Sequence, residues 1–96
     1  MIVNVVKVLN GHPEVAQGIL QADSAKINQA DERGWTPLYA ACILGHVEFV
    51  NALLSKDGID VNQAVNNGET PLWKASEKGH FEVVNALLSV DLHNLD

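Results

Sequence analysis

His12, His46 and His80 recur at intervals of 34 residues in a chain of 96, and an acid follows each two positions on: Glu14, Glu48 and Glu82. A His-x-Glu pair is the signature of zinc-dependent deamination, in which the imidazole holds the metal and the carboxylate moves the proton. That chemistry also needs a Pro-Cys-x-x-Cys element, and the chain has a single cysteine, Cys42. One thiol excludes an intramolecular disulfide and a Cys-rich zinc site alike. As a nucleophile Cys42 would need a base beside it, and no pattern supplies one; a small buried hydrophobe is the better reading. There is no phosphate-cradling glycine loop, nucleophile elbow or dinucleotide fingerprint. Recurrence of Gly-His at a fixed interval therefore points to a brace for a turn, copied along with a repeating unit. No catalytic residue, metal or cofactor is expected.

Composition narrows the partners. Apolar residues make up 47% of the chain and aromatic residues 5%, so Ala, Val, Leu and Ile must do most of the packing. Six basic against twelve acidic residues give a net charge of −6. Nucleic acid and anionic membrane surfaces need clustered cations, so neither is an expected partner. A net negative charge instead favours encounter with basic protein surfaces. The start, Met1 to Asn10, is apolar but lacks a basic region and a small-residue cleavage site, so it does not read as a secretory signal. A cytoplasmic location is expected, with a nuclear protein or an effector exported without a cleaved signal as alternatives.

The elements that carry these residues follow from self-comparison. At an offset of 34, Gly34 maps to Gly68, Thr36-Pro37-Leu38 to Thr70-Pro71-Leu72, Gly45-His46 to Gly79-His80, and Val50 to Ser55 onto Val84 to Ser89. The offset also reaches back: Gly11-His12 matches Gly45-His46, and Asn28-Gln29-Ala30 matches Asn62-Gln63-Ala64. One domain over 1–96 is expected, with a degenerate unit 1 (1–33) as N-terminal cap, unit 2 (34–67) and unit 3 (68–96). A period of this length means a stacked array. Each unit reads as helix–turn–helix. Thr36 and Thr70 are N-caps, with Pro37 and Pro71 at the first helical position, where a missing N–H is harmless. The first helix ends at Leu44 or Lys78, before Gly45 or Gly79, which can take the left-handed stop. The second starts near Glu48 or Glu82, and Phe49, Val50, Leu53 and Leu54 form its core stripe. Asn66-Asn67-Gly68 marks a tight turn between units.

Gly34-x-Thr36-Pro37-Leu38-x-x-Ala41-x-x-x-Gly45-His46-x-Glu48-x-Val50-x-x-Leu53-Leu54 resembles an ankyrin repeat, and Gly68 to Ser89 repeats the pattern. Unit 1 departs from it, with Ile2-Val3-Asn4 in place of Thr-Pro-Leu. The resemblance implies an all-α solenoid of stacked antiparallel helix pairs with projecting β-turn loops, binding another protein through its turn tips and concave first-helix face. The histidine usual after Thr-Pro-Leu is Tyr39 in one unit and Trp73 in the other.

Motif matching puts Glu32, Arg33 and Trp35 on one turn tip and Asn66, Asn67 and Glu69 on the next. Ile43 and Leu44, then Glu77 and Lys78, fall on the concave side, with Tyr39 and Trp73 at the base of the same face. These twelve are the expected partner-binding residues. Trp35, Tyr39, Ile43 and Leu44 are expected to form an apolar patch flanked by Arg33 and Glu32, an arrangement typical of binding hot spots. The alternative has Trp35 folded back over its neighbouring turn and Ile43-Leu44 packed on unit 1. The C-terminal end is only partly polar. Ala40 becomes Lys74, Cys42 becomes Ser76, Ile43 becomes Glu77 and Leu44 becomes Lys78, yet Phe81, Val83, Val84, Leu87, Leu88 and Val90 remain apolar, with Leu92 and Leu95 beyond them. Either the Val90–Asp96 tail folds back on that face or another chain covers it. A homodimer through the C-terminal end face, or a self-assembling or longer array joined by such faces, is the alternative function.

Overall fold

The computed structural model describes residues 27–93 together with Gly18 and Gln21. The expectations for unit 1 ahead of residue 27, His12 and the N-terminal cap among them, lie outside the described residues. Four helices are bounded within those described: α1 (Pro37–Leu44), α2 (Val47–Leu54), α3 (Pro71–Lys78) and α4 (Phe81–His93). No strand occurs among the described residues.

Local chemistry sets the helix ends where the sequence puts them. Thr36 Oγ1 accepts from the Tyr39 amide at 3.2 Å, and Thr70 Oγ1 accepts from the Trp73 amide at the same distance. Each bond satisfies an amide that has no partner within its helix. Pro37 and Pro71 open the helices, and Gly45 and Gly79 close them in the left-handed region, both at φ 74°. The second helices begin one residue earlier than expected, at Val47 and Phe81. His46 makes no side-chain cap to α2.

The helices stack in two layers. α1 packs on α2 within its unit and on α3 across units, and α4 packs on α3 and α2. The core lies between the layers. It is built from Leu38, Ala40, Ala41, Cys42, Phe49, Val50 and Leu53 of unit 2 and Ala75, Val83 and Leu87 of unit 3, all buried. Small residues on α1 and α3 let the backbones approach, while Leu38, Val50 and Leu53 supply the apolar area. Burying each of these three contributes roughly 1.5–3 kcal/mol.

After α2 the chain turns through Lys56–Asn62, and Asn28 of unit 1 staples this loop. Its Nδ2 donates to the Gly58 carbonyl at 2.7 Å, and its Oδ1 accepts from the Asp60 amide at 2.9 Å. At the matching position after Ser89 there is no such exit. Val90 to His93 continue the helix, so over those residues the tail does not fold back across the end face.

Candidate protein-interaction surface

Two tight turns precede the first helices. In one, Gly34 N donates to Asp31 O and Asp31 N to Trp35 O, each at 2.9 Å; in the other, Gly68 N donates to Val65 O at 2.8 Å and Val65 N to Glu69 O at 2.9 Å. The turns join side by side. The Asn66 amide donates to Arg33 O at 2.9 Å, and Asn66 Nδ2 donates to Glu32 O at 2.8 Å. The outward Glu32, Asn66 and Asn67 are exposed, as motif matching places them.

Arg33 and Trp35 are ordered by a residue that motif matching passed over. Asp31, with its side chain 5% exposed, accepts from the amides of Arg33 and Trp35 through Oδ1 at 2.8 and 3.1 Å. Its Oδ2 holds Arg33 Nη2 at 2.6 Å. Burial raises the Asp31 carboxyl, but the Arg33 side chain and the two backbone amides outweigh it and hold the group below its ordinary value. The fixed guanidinium lies 3.4 Å over the Trp35 ring, and that ring meets Tyr39 at a centroid distance of 5.3 Å. Trp35 is therefore half-buried in an Arg33–Trp35–Tyr39 stack, which corrects the expectation of an open tip. The Asp31-x-x-Gly34 spacing is the sequence signal that marks this turn.

Tyr39 also departs from expectation. It is 1% exposed, because its hydroxyl reaches the next unit and donates to Glu69 Oε1 at 2.6 Å. Burial, then the Glu69 carboxylate, push the phenol up to about 12. The same bond, aided by Lys74 and opposed by desolvation, holds Glu69 below its ordinary value. Lys74 Nζ lies 3.2 Å from Glu69 Oε1 and donates to Glu77 Oε1 at 2.7 Å, which raises the pKa of the ammonium. Where the resemblance puts a histidine after Thr-Pro-Leu, Tyr39 instead begins a Tyr–Glu–Lys chain between units.

Ile43 and Leu44 are half-buried, and Leu44 packs against the core, so neither stands clear as expected. The matching positions of unit 3 are more open. Glu77 and Lys78 are exposed, and Trp73, the counterpart of Tyr39, is 48% exposed with Lys74 Nζ 5.2 Å from its ring centroid.

Of the residues that prompted an enzymatic reading, His80 is paired and Cys42 is packed, whereas His46, Glu48 and Glu82 are exposed. His80 Nε2 lies 3.1 Å from the Ile43 carbonyl, bracing unit 3 on the last turn of α1. Cys42 is fully buried, and burial pushes its thiol up to about 12, far from the thiolate a nucleophile needs. Among the described residues no cluster of His, Cys, Asp and Glu could hold a metal ion, and no helix is long and apolar enough to cross a membrane.

Comparison with curated proteins returns no match. A family model does match: ankyrin repeats, in three copies, over residues 4–96. Ankyrin repeats are generally protein–protein interaction modules and typically non-catalytic. The match spans nearly the whole sequence and agrees with paired, stacked helices closed at the same Thr-Pro and Gly-His positions, so this chain belongs to the ankyrin repeat family.

Proposed function

We propose that residues 1–96 act as one stacked domain that holds another protein by surface complementarity, making and breaking no bond. The contact runs along the turn tips and the concave first-helix face, over Glu32, Arg33, Asn66, Asn67, Glu69, Glu77 and Lys78, with Trp73 at its centre. Trp35, Tyr39, Ile43 and Leu44 serve mainly to hold the shape of that face. The observation that carries this reading is the contrast between equivalent positions: Tyr39 is 1% exposed and Trp73 is 48% exposed. An open aromatic inside a rim of Asn, Glu and Lys side chains is what a binding anchor requires.

The test is affinity capture with mass spectrometry, using the native chain, Trp73→Ala and Phe81→Glu. A protein held by the native chain and by Phe81→Glu should bind Trp73→Ala at least about tenfold more weakly, with unchanged thermal unfolding of the variant. Equal capture by the native chain and Trp73→Ala would remove Trp73 from the contact.

A second reading, assembly of copies through the end faces, is favoured by one separate observation. Phe81 is 78% exposed and Leu88 is 43% exposed on the outer side of unit 3. Single exposed apolar side chains are ordinary on a protein surface, but these two lie two turns apart on one helix and so extend a common apolar stripe.

A further inference from the structure

Asn67 and Gly68 stand together, both exposed, in the turn that leads to α3. Asparagine before glycine is a reactive pair, because a nitrogen with no Cβ beside it approaches the side-chain carbonyl unhindered. The turn adds to this. Asn67 Oδ1 accepts from the Glu69 amide at 3.1 Å. The bond closes a ring that contains both Asn67 Cγ and the Gly68 nitrogen, and so folds that carbon back toward the nitrogen. It also places a donor on the oxygen where negative charge would develop on attack. There is room for the reaction: a Cβ at Gly68 would meet nothing within 4 Å, whereas one at Gly34 in the preceding turn would stand 2.6 Å from Asn66 Oδ1. The other described asparagines differ. Asn66 is tied through Nδ2 to the Glu32 carbonyl, and Asn28 is held at both ends of its amide. Asn51 and Asn85 lie within helices ahead of alanine, and Asn62 precedes Gln63.

We propose that Asn67 is a site of spontaneous modification, converting through a cyclic imide to aspartate and isoaspartate. The Gly68 amide first leaves Val65 O, its partner at 2.8 Å, and gives its proton to hydroxide from solvent. The nitrogen bonds to Asn67 Cγ, and the carbonyl electron pair moves to Oδ1. As that pair returns, the Cγ–Nδ2 bond breaks; Nδ2 takes a proton from water and departs as ammonia. Water then opens the imide, and the Gly68 nitrogen recovers its proton. Opening at Cγ gives aspartate. Opening at the main-chain carbonyl of residue 67 gives isoaspartate, in which the chain runs on through the former side chain. Overall one water enters and one ammonia leaves. Isoaspartate adds a methylene to the backbone just ahead of Glu69, whose Oε1 receives the Tyr39 hydroxyl. It also draws into the main chain the Oδ1 that held the Glu69 amide. The tie from unit 3 to Tyr39 therefore loosens as the residue converts.

Timed incubation of the full chain at neutral and mildly alkaline pH tests this, with digestion in acid and fragmentation mass spectrometry. Asn67 should lose its amide before Asn28, Asn51, Asn62, Asn66 and Asn85, faster at the higher pH, and yield both acids. Asn10, which also precedes a glycine, is read on its own fragment. Gly68→Ala should slow the loss at least about tenfold, since its Cβ crowds the attacking nitrogen. Aged native chain should melt below fresh chain, while Asn67→Gln should melt alike before and after the same incubation. Loss at any of the five other described asparagines ahead of Asn67 overturns the site. Aspartate without isoaspartate, a rate indifferent to pH, or an equal rate in Gly68→Ala overturns the imide route. Unchanged melting of converted chain, or an equal fall in Asn67→Gln, overturns the loosening assigned to the Tyr39 tie.

Discussion

Tyr39 and Trp73 occupy the same place in successive units and sit in opposite surroundings. Tyr39 is buried against the turn of unit 3, and its phenol has an acid to donate to; Trp73 has no such turn beside it in the described structure. The pairing of Tyr39 gives the fold a measurable pH response. Its folded value lies above the ordinary 10.0, at about 12, so the folded state holds the proton more tightly. Stability is then full below pH 10.0 and falls as pH rises toward about 12. Cys42, raised from 9.0 to about 12 by burial, adds to the same loss. Tyr39→Phe should flatten part of the alkaline limb of a stability–pH curve followed by urea unfolding. A limb unchanged in that variant would mean the phenol does not carry it. At the acid end the signs reverse. Asp31 and Glu69 are both held below their ordinary 3.8 and 4.5, so stability is present above those values and falls as pH drops through the lowered ones. Asp31→Asn should therefore start less stable at neutral pH and lose less on acidification.

At the scale of the helices, most of the architecture was legible because its determinants are local. Thr-Pro at one end and Gly-His at the other fix α1 and α3 through bonds that reach at most five residues. The apolar spacing of α2 needs nothing more than its own turns. What the sequence did not reveal depends on specific side-chain pairings, near and far. The stacked ring of Trp35 depends on Arg33 being pinned by Asp31 within the same turn, and the burial of Tyr39 depends on Glu69, 30 residues away in the following turn. The length of α4 is a third case, since no glycine stops it after Ser89 and the strings after Ser55 and Ser89 differ. The glycine pair separates the two kinds of constraint experimentally. Gly79→Ala should cost about 1–2 kcal/mol, the penalty of a left-handed backbone with a Cβ. Gly45→Ala should cost measurably more, because its Cβ also strikes the His80 ring at 2.8 Å. Equal losses in paired thermal melts would mean that unit 3 yields freely at that contact.

At the scale of the molecule, each unit leans on its neighbours and has little core of its own. Leu53 is fully buried between the layers, and Leu53→Ala should cost about 2–4 kcal/mol in denaturant unfolding. Stacked units share their stability across contacts. Hydrogen-exchange protection should therefore fall in α3 and α4 as well as in α2. Loss confined to α2 would mean that the units fold independently. Among the described residues, apart from the short bonds within the turns at the unit boundaries, the hydrogen bonds between units join positions 30 to 37 apart in the chain. Closing such a loop has an entropic cost that depends on its own span. A gene that gained or lost a copy would leave that span unaltered, so the topological contribution to folding speed need not grow with the number of copies.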